Sequence, residues 1–224
     1  MTSFECLATG SSGNCYILKI GDYTCILDAG CKWDKLTTHV NLNKVDLAFV
    51  SHEHKDHSLN YEKLKIRGVC CLDGITNQKV SKNQINGKFD AFLVPIQHGE
   101  TNNCALILKK DYDCVLYATD FNLCEYDLSE FKFTRVIVEC NYLEERIKGQ
   151  VDIKSLRQIN THMGLEGLQI FLDTLDLSRC EEIDLVHLSS DYGDKIIMGS
   201  TIYSKYKIKT GVCLKHGGVE YYGG

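Results

Sequence analysis

Residues 52–57 read His-Glu-His-Lys-Asp-His, and no other segment of the 224-residue chain constrains its fold so tightly. The cluster follows the apolar run 45–50 (VDLAFV), which reads as a buried strand. Open α/β sheets place their ligands at the carboxyl ends of such strands. His52 and His54 are two apart, so an extended step points both imidazoles to one side. Asp56 and His57 can then meet a second ion as the chain turns. Neutral imidazole and carboxylate are the donor set of an open, hydrolytic metal site, whereas closed structural sites favour thiolates. A solvated turn rich in histidine is the plain alternative, but four good ligands at this spacing argue for a metal.

Further stretches join this cluster. Cys25-Ile26-Leu27-Asp28-Ala29-Gly30 is a strand ending in an aspartate, and Val94-Pro95-Ile96-Gln97-His98-Gly99 a strand ending in a histidine. Tyr117-Ala118-Thr119-Asp120 and Leu185-Val186-His187-Leu188 repeat the pattern. With His52-x-His54-x-Asp56-His57 they resemble, in order, the five motifs of the metallo-β-lactamase fold hydrolases. The resemblance runs from residue 28 to 187 and implies an α/β fold, an αββα four-layer sandwich, over a single domain 1–224. It implies that His52, His54 and His98 hold one divalent ion and that Asp56, His57 and His187 hold another. Asp120 would bridge them, and Asp28 would orient the histidine loop by hydrogen bonds rather than ligate. Zn²⁺ is the expected metal, and Mn²⁺ is compatible with the same donors. Two such ions activate water at neutral pH and stabilise negative charge on the substrate. His98 as a strand cap and Asp120 as a turn residue are the ordinary alternatives. His39 and His216 read as exposed side chains.

Glu139 and His162 lie between the fourth and fifth motifs. In order and context they resemble the glutamate and histidine of ribonuclease Z-like phosphodiesterases, where the glutamate orients a histidine that contacts the scissile phosphate and protonates the leaving oxygen. Imidazolium is a competent acid near neutral pH. The implied catalytic residues are Asp56, His162 and Glu139. A helix-start role for His162 and a solvated strand end for Glu139 are the competing accounts. His54 stands where oxygen-reducing diiron members carry glutamate. Thioester hydrolases share the seven ligands, so the Glu139/His162 pair is what favours phosphodiesters.

The chain is long enough to bury a substantial core. Its formal charge of −5 argues against a broad nucleic-acid face, though not against a local basic patch. No export-type start or membrane-length apolar segment is present, and the twelve cysteines form no C-x-x-C pair. They read as free, mostly buried thiols, which points to a cytoplasmic setting. Strands are expected at 4–8, 15–20, 23–27, 45–50, 68–72, 89–95, 103–108, 114–118, 135–139, 183–188, 211–214 and 218–222. Helices are expected at 33–39, 58–64, 165–175 and 195–203.

The expected substrate is a nucleotide phosphodiester, either a cyclic nucleotide or a nucleic-acid end. The nearest resemblance is to small members from bacteria and their phages, through the Gly10-Ser11-Ser12-Gly13 turn. An ester or thioester hydrolase, and a non-catalytic nucleotide-binding protein, are the alternatives. Homodimer formation is left open. Lys63, Lys65 and Arg67 could meet phosphates. Lys205, Lys207 and Lys209 alternate as on a solubilised edge strand. Tyr61, Tyr142 and Tyr192 are candidates for stacking or for closing a pocket.

Overall fold

Alternating strand and helix signals resolve into two stacked sheets. The computed structural model describes residues 2–150 and 152–223. The first sheet runs, in order, β1 (Thr2–Ala8), β2 (Cys15–Ile20), β3 (Tyr23–Leu27), β4 (Leu47–Val50) and β5 (Cys71–Asp73). β1 to β3 form an antiparallel meander, and β4 and β5 continue it in parallel. Gly21 takes φ +59° at the β2–β3 turn, a conformation that favours glycine. The parallel steps cross over through α1 (Trp33–His39) and through the short α2 (Lys55–Ser58) and α3 (Tyr61–Ile66).

The second sheet begins with β6 (Ser81–Ile85), β7 (Phe89–His98), β8 (Thr101–Lys110) and β9 (Asp113–Ala118), all antiparallel. β10 (Arg135–Glu139), β11 (Glu182–Val186) and β12 (Lys209–Cys213) extend it in parallel, and β13 (Val219–Tyr222) closes it antiparallel. Every residue of β10 and β11 is buried, as a parallel strand covered on both faces requires. The remaining helices are α4 (Glu144–Ile147), α5 (Ile153–Thr161), α6 (Leu165–Asp173) and α7 (Lys195–Tyr206).

Side-chain alternation divides the core into three layers. Tyr16, Leu18, Phe49, Leu106, Tyr117, Ile137 and Val186 fill the space between the sheets. Val136, Val138 and Leu185 face outward against Leu168 and Leu172 of α6 and Met198 and Ile202 of α7. On the other side Ile26, Ala48 and Val50 meet Leu36 of α1 and Leu64 of α3. The result is the expected αββα sandwich. β3 and β4 are parallel to each other. β7 shares its direction with β9, β10 and β11, so within each sheet these strands end at a common edge.

Several local expectations need correction. The first parallel strand starts at Leu47, because 42–44 form a 3₁₀ turn. The helix expected at 58–64 is two pieces, α2 and α3. β6 went unread because Ser-Lys-Asn-Gln-Ile carries almost no apolar signal. α5 was missed because it buries only Ser155, and Ile153, Leu156 and Ile159 face solvent. Lys205 lies in α7, Lys207 caps it at φ +59°, and Lys209 opens β12, which is not an edge strand. The period-two edge reading of these lysines therefore fails. All twelve cysteines are free.

Candidate metal centre

Strand ends deliver each polar group to one place. Asp28 follows β3, residues 51–57 follow β4, His98 ends β7, Asp120 follows β9, Glu139 ends β10 and His187 follows β11. Asp28, Asp120 and His187 have φ of 55°, 51° and 56°. Non-glycine residues in this region cost of order 1–3 kcal/mol each and concentrate at functional sites.

One histidine set comprises His52, His54 and His98. His52 Nε2 is 2.9 Å from His54 Nδ1, which is 3.4 Å from His98 Nε2. Ligands of a tetrahedral ion with bonds near 2.0–2.1 Å stand about 3.3 Å apart, so this convergence fits a metal. His98 Nδ1 donates to the Thr161 carbonyl at 2.8 Å, which turns Nε2 inward. Burial and the neighbouring His57 hold the His52 imidazole neutral, far below its usual pKa.

The second set is Asp56, His57 and His187. His57 Nδ1 donates to Asp28 Oδ2 at 2.6 Å. Asp28 also accepts from the Ser51 amide at 2.7 Å and from the Tyr117 hydroxyl at 2.5 Å. His187 Nε2 is buried with no hydrogen-bond partner, an orphan that a metal ion would satisfy.

Asp120 stands between the sets. Its Oδ1 is 3.4 Å from His57 Nε2 and 3.0 Å from His187 Nδ1, while Oδ2 lies 3.9 Å from His52 and 4.0 Å from His98. One oxygen thus faces each group, as a bridging carboxylate requires. Burial opposes ionisation of Asp120, but His187 and His57 outweigh it and hold the carboxyl well below its usual range. Burial likewise opposes charge on His187, yet Asp120 and Glu139 push its pKa up to about 10. The buried carboxylates demand positive charge here, and two divalent ions would supply it in place of protons.

Glu139 is fully buried. Its Oε1 accepts from His162 Nδ1 at 2.7 Å, His187 Nδ1 at 2.8 Å and the Asn141 amide at 3.2 Å. Its Oε2 accepts from the backbone amides of Phe121 at 2.9 Å and Met163 at 3.2 Å. With both oxygens saturated, Glu139 orients its neighbours rather than offering a free ligand atom. Burial works against its charge, but His162 prevails and keeps its pKa low. His162 caps the C-terminus of α5, is half-buried and lies 4.0 Å from Asp120. Its Nδ1 is held by Glu139, and its ring lines the open cleft over both ligand sets.

The polypeptide scaffold around the histidine loop is close-fitting. A Cβ on Gly30 would stand 1.7 Å from the Asp56 carbonyl oxygen, so only glycine allows this approach. The Asn14 amide hydrogen-bonds Asp56 O at 2.7 Å, and the Asn14 side chain lies 2.9 Å from His57 Nε2.

Comparison with known proteins agrees with this architecture. Residues 8–80 match the family model described as the metallo-beta-lactamase superfamily. The metallo-β-lactamase fold protein YhfI from Bacillus subtilis aligns over 99% of each chain at TM-score 0.71 and 16% identity. The fold is the metallo-β-lactamase fold. Human tRNase Z, short form, shares this fold over 85% of the present chain and 93% of its own, with TM-score 0.59 and 10% identity. A diphosphatase from the PhnP family aligns over 99% and 98% at TM-score 0.60 and 13% identity. The diiron β-hydroxylase CmlA from Streptomyces venezuelae aligns over 98% of this chain and 54% of its own, at TM-score 0.62 and 12% identity. A search of curated proteins finds no match in sequence.

Within this metallo-β-lactamase fold the seven ligand candidates, Glu139 and His162 meet at one edge, whereas His39 and His216 are exposed elsewhere. Other expectations are not met. Lys63 and Arg67 lie over Trp33, and Lys65 pairs with Glu62, so none of the three lines the cleft. Tyr61 donates to Asp73, and Tyr142 and Tyr192 pack with Ile147 in a small core. No stacking platform results. Sequence reading missed Asn14 and Asn141, which lack a local motif, and Lys55, Lys154, Arg157 and Lys215, which line the cleft from three separate segments.

Proposed function

We propose that this chain is a dinuclear metal-dependent phosphodiesterase acting on nucleotide phosphodiesters. The observation that carries the reading is the buried Glu139 held 2.7 Å from His162 Nδ1, beside two ligand sets that share Asp120. His52, His54 and His98 would hold one ion, and Asp56, His57 and His187 the other. Bound divalent ions supply a nucleophile from water at neutral pH and stabilise charge on the phosphoryl oxygens. Zn²⁺ suits the imidazole and carboxylate donors best, and Mn²⁺ suits them as well.

The chain's own residues do the rest. Glu139 accepts the Nδ1 proton of His162, which fixes that ring and leaves Nε2 to hold a proton for the leaving alkoxide. Asp28 and the Thr161 carbonyl fix the tautomers of His57 and His98 in the same manner. Hydrolysis at phosphorus is also what the names of two structural neighbours carry, a tRNase and a diphosphatase.

The test is hydrolysis of bis-p-nitrophenyl phosphate and of a dinucleotide by metal-loaded protein, with His162→Ala alongside. Loss of about a hundredfold on the dinucleotide with little loss on the activated ester is expected, because p-nitrophenolate leaves without a proton. Equal losses on both substrates would remove the acid role. Cleavage of a thioester but neither phosphodiester would overturn the reading.

A further inference from the structure

The cleft above the ligand sets has a volume of about 510 Å³ and is ringed by cations from three parts of the chain. Lys55 opens α2, Lys154 and Arg157 lie on α5, and Lys215 occupies the β12–β13 turn. Lys154 is tied to Asp191 across the mouth. Lys55, Arg157 and Lys215 are exposed, and none forms an ion pair among the described residues, although Lys215 acts on Asp191 at longer range. The acidic residues lining the cleft are Asp56, Asp120 and Asp191. The first two belong to the ligand sets, and the third is paired with Lys154 and lies in the field of Lys215 as well. Four cations therefore share one carboxylate outside the ligand sets, at the mouth of a protein whose net charge is −5.

We propose that Lys55, Arg157 and Lys215 form a second anion site, and that the substrate is a phosphodiester bearing at least one further phosphate beyond the scissile one. The inference rests on the phosphodiesterase reading and narrows it. A cyclic mononucleotide carries a single negative charge, and that charge lies on the phosphate the metal centre must grip. The cationic rim would find nothing to bind. A substrate whose neighbouring phosphate reaches the mouth meets three unpaired cations in a recess where the field is focused. Guanidinium and ammonium groups are the usual partners of phosphate, with Arg157 able to bind in bidentate fashion. On α5, Arg157 lies between Lys154 and Gln158 on the cleft-lining face, four residues before Thr161, whose carbonyl holds His98. Binding there also places the ester near His162.

Two chromogenic esters isolate the effect: thymidine 3′-(p-nitrophenyl phosphate) without and with a 5′-phosphate. The reacting centre is the same in both. Metal-loaded protein should cleave the 5′-phosphorylated ester with kcat/KM about tenfold higher at 50 mM salt, mostly through KM. The gain should shrink at 200 mM salt, because phosphate contacts weaken as counterions compete. The double variant Arg157→Ala, Lys215→Ala should abolish most of the gain, and Arg157→Lys should restore part of it. Equal kcat/KM for the two esters, or a gain untouched by the double variant, would overturn the anion site. A gain complete with one added phosphate identifies a small nucleotide, and one that grows with strand length identifies a nucleic-acid end. Either supports the site. Turnover of neither ester would instead refute the phosphodiesterase reading. The anion site is then judged by binding of thymidylyl-thymidine with and without a 5′-phosphate, where equal affinity would refute it too.

Discussion

Replacing Glu139 by glutamine tests how a single buried carboxylate organises the site. The side chains have nearly the same shape, so packing is unchanged and the effect is one of hydrogen bonding and charge. In the native protein Oε1 faces three donors, from His162, His187 and Asn141, and Oε2 faces two backbone amides. Glutamine offers one acceptor oxygen and one NH₂ group. If the NH₂ turns toward Phe121 and Met163, two buried N–H groups lose their acceptor. At roughly 1–3 kcal/mol each, that destabilises the protein by about 4 kcal/mol. For a chain of this size such a loss lowers Tm by about 10 °C. If the NH₂ turns toward the histidines, their Nδ1 atoms must accept, which moves the protons to Nε2. His187 would then lose the atom it turns to the metal. The first orientation is expected in metal-replete buffer, because ligation holds Nε2 free. The assay combines thermal melting, metal content and turnover of a dinucleotide. A variant that melts within 2 °C of the native protein, keeps both metals and turns over within threefold would refute the argument.

Three further outcomes are expected. Asp120→Ala should lose at least one metal ion, with activity falling at least about a thousandfold, since its two oxygens face separate ligand sets; retention of two ions by elemental analysis would exclude a bridging role. Gly30→Ala must displace the backbone at Asp56 and His57, so it should fold poorly or bind metal weakly, and metal content near native would show that the loop can yield. In the middle of β11, Asp184 sits fully buried, with Arg135 Nη1 at 3.2 Å but no hydrogen-bond partner of its own. Burial pushes its pKa up to about 7, against the pull of Arg135. A carboxyl raised from 3.8 in the folded state favours folding while protonated, and that benefit is lost as pH climbs through about 7. The native protein should therefore lose stability relative to Asp184→Asn between pH 5 and pH 8. A Tm difference that moves the other way would mean the Arg135 ion pair dominates.

The candidate metal centre was legible in the sequence because its residues stand at, or just beyond, the ends of apolar strands. Strand-end placement is a local property, but each motif is short, and His52, His54, Asp56, His57, His98, Asp120 and His187 could be picked out because five such motifs stand in the order of the metallo-β-lactamase fold hydrolases they resemble. Glu139 and His162 were weaker signals, since neither neighbourhood says that the two side chains meet 2.7 Å apart. Elements whose apolar residues do not point into the core were misread. β6 is polar, and α5 turns Ile153, Leu156 and Ile159 to solvent, so neither shows the periodicity that burial imposes.

By itself, then, the sequence determined two stacked sheets covered by helices and, through five motifs in a set order, the polar groups gathered at one edge. Only the tertiary structure decided which charges share a space. The lysines that looked basic in sequence, at 63–67 and 205–209, engage Trp33, Glu62, Asp173, Glu182 or nearby tyrosines. The cations at the cleft come from positions 55, 157 and 215, which chain folding alone brings together. Electrostatic fields add through space, whereas sequence motifs register only neighbours along the chain. The polar groups of the candidate centre could therefore be read from residues, but the cationic rim around the cleft became visible only when the sheets and α5 were in place.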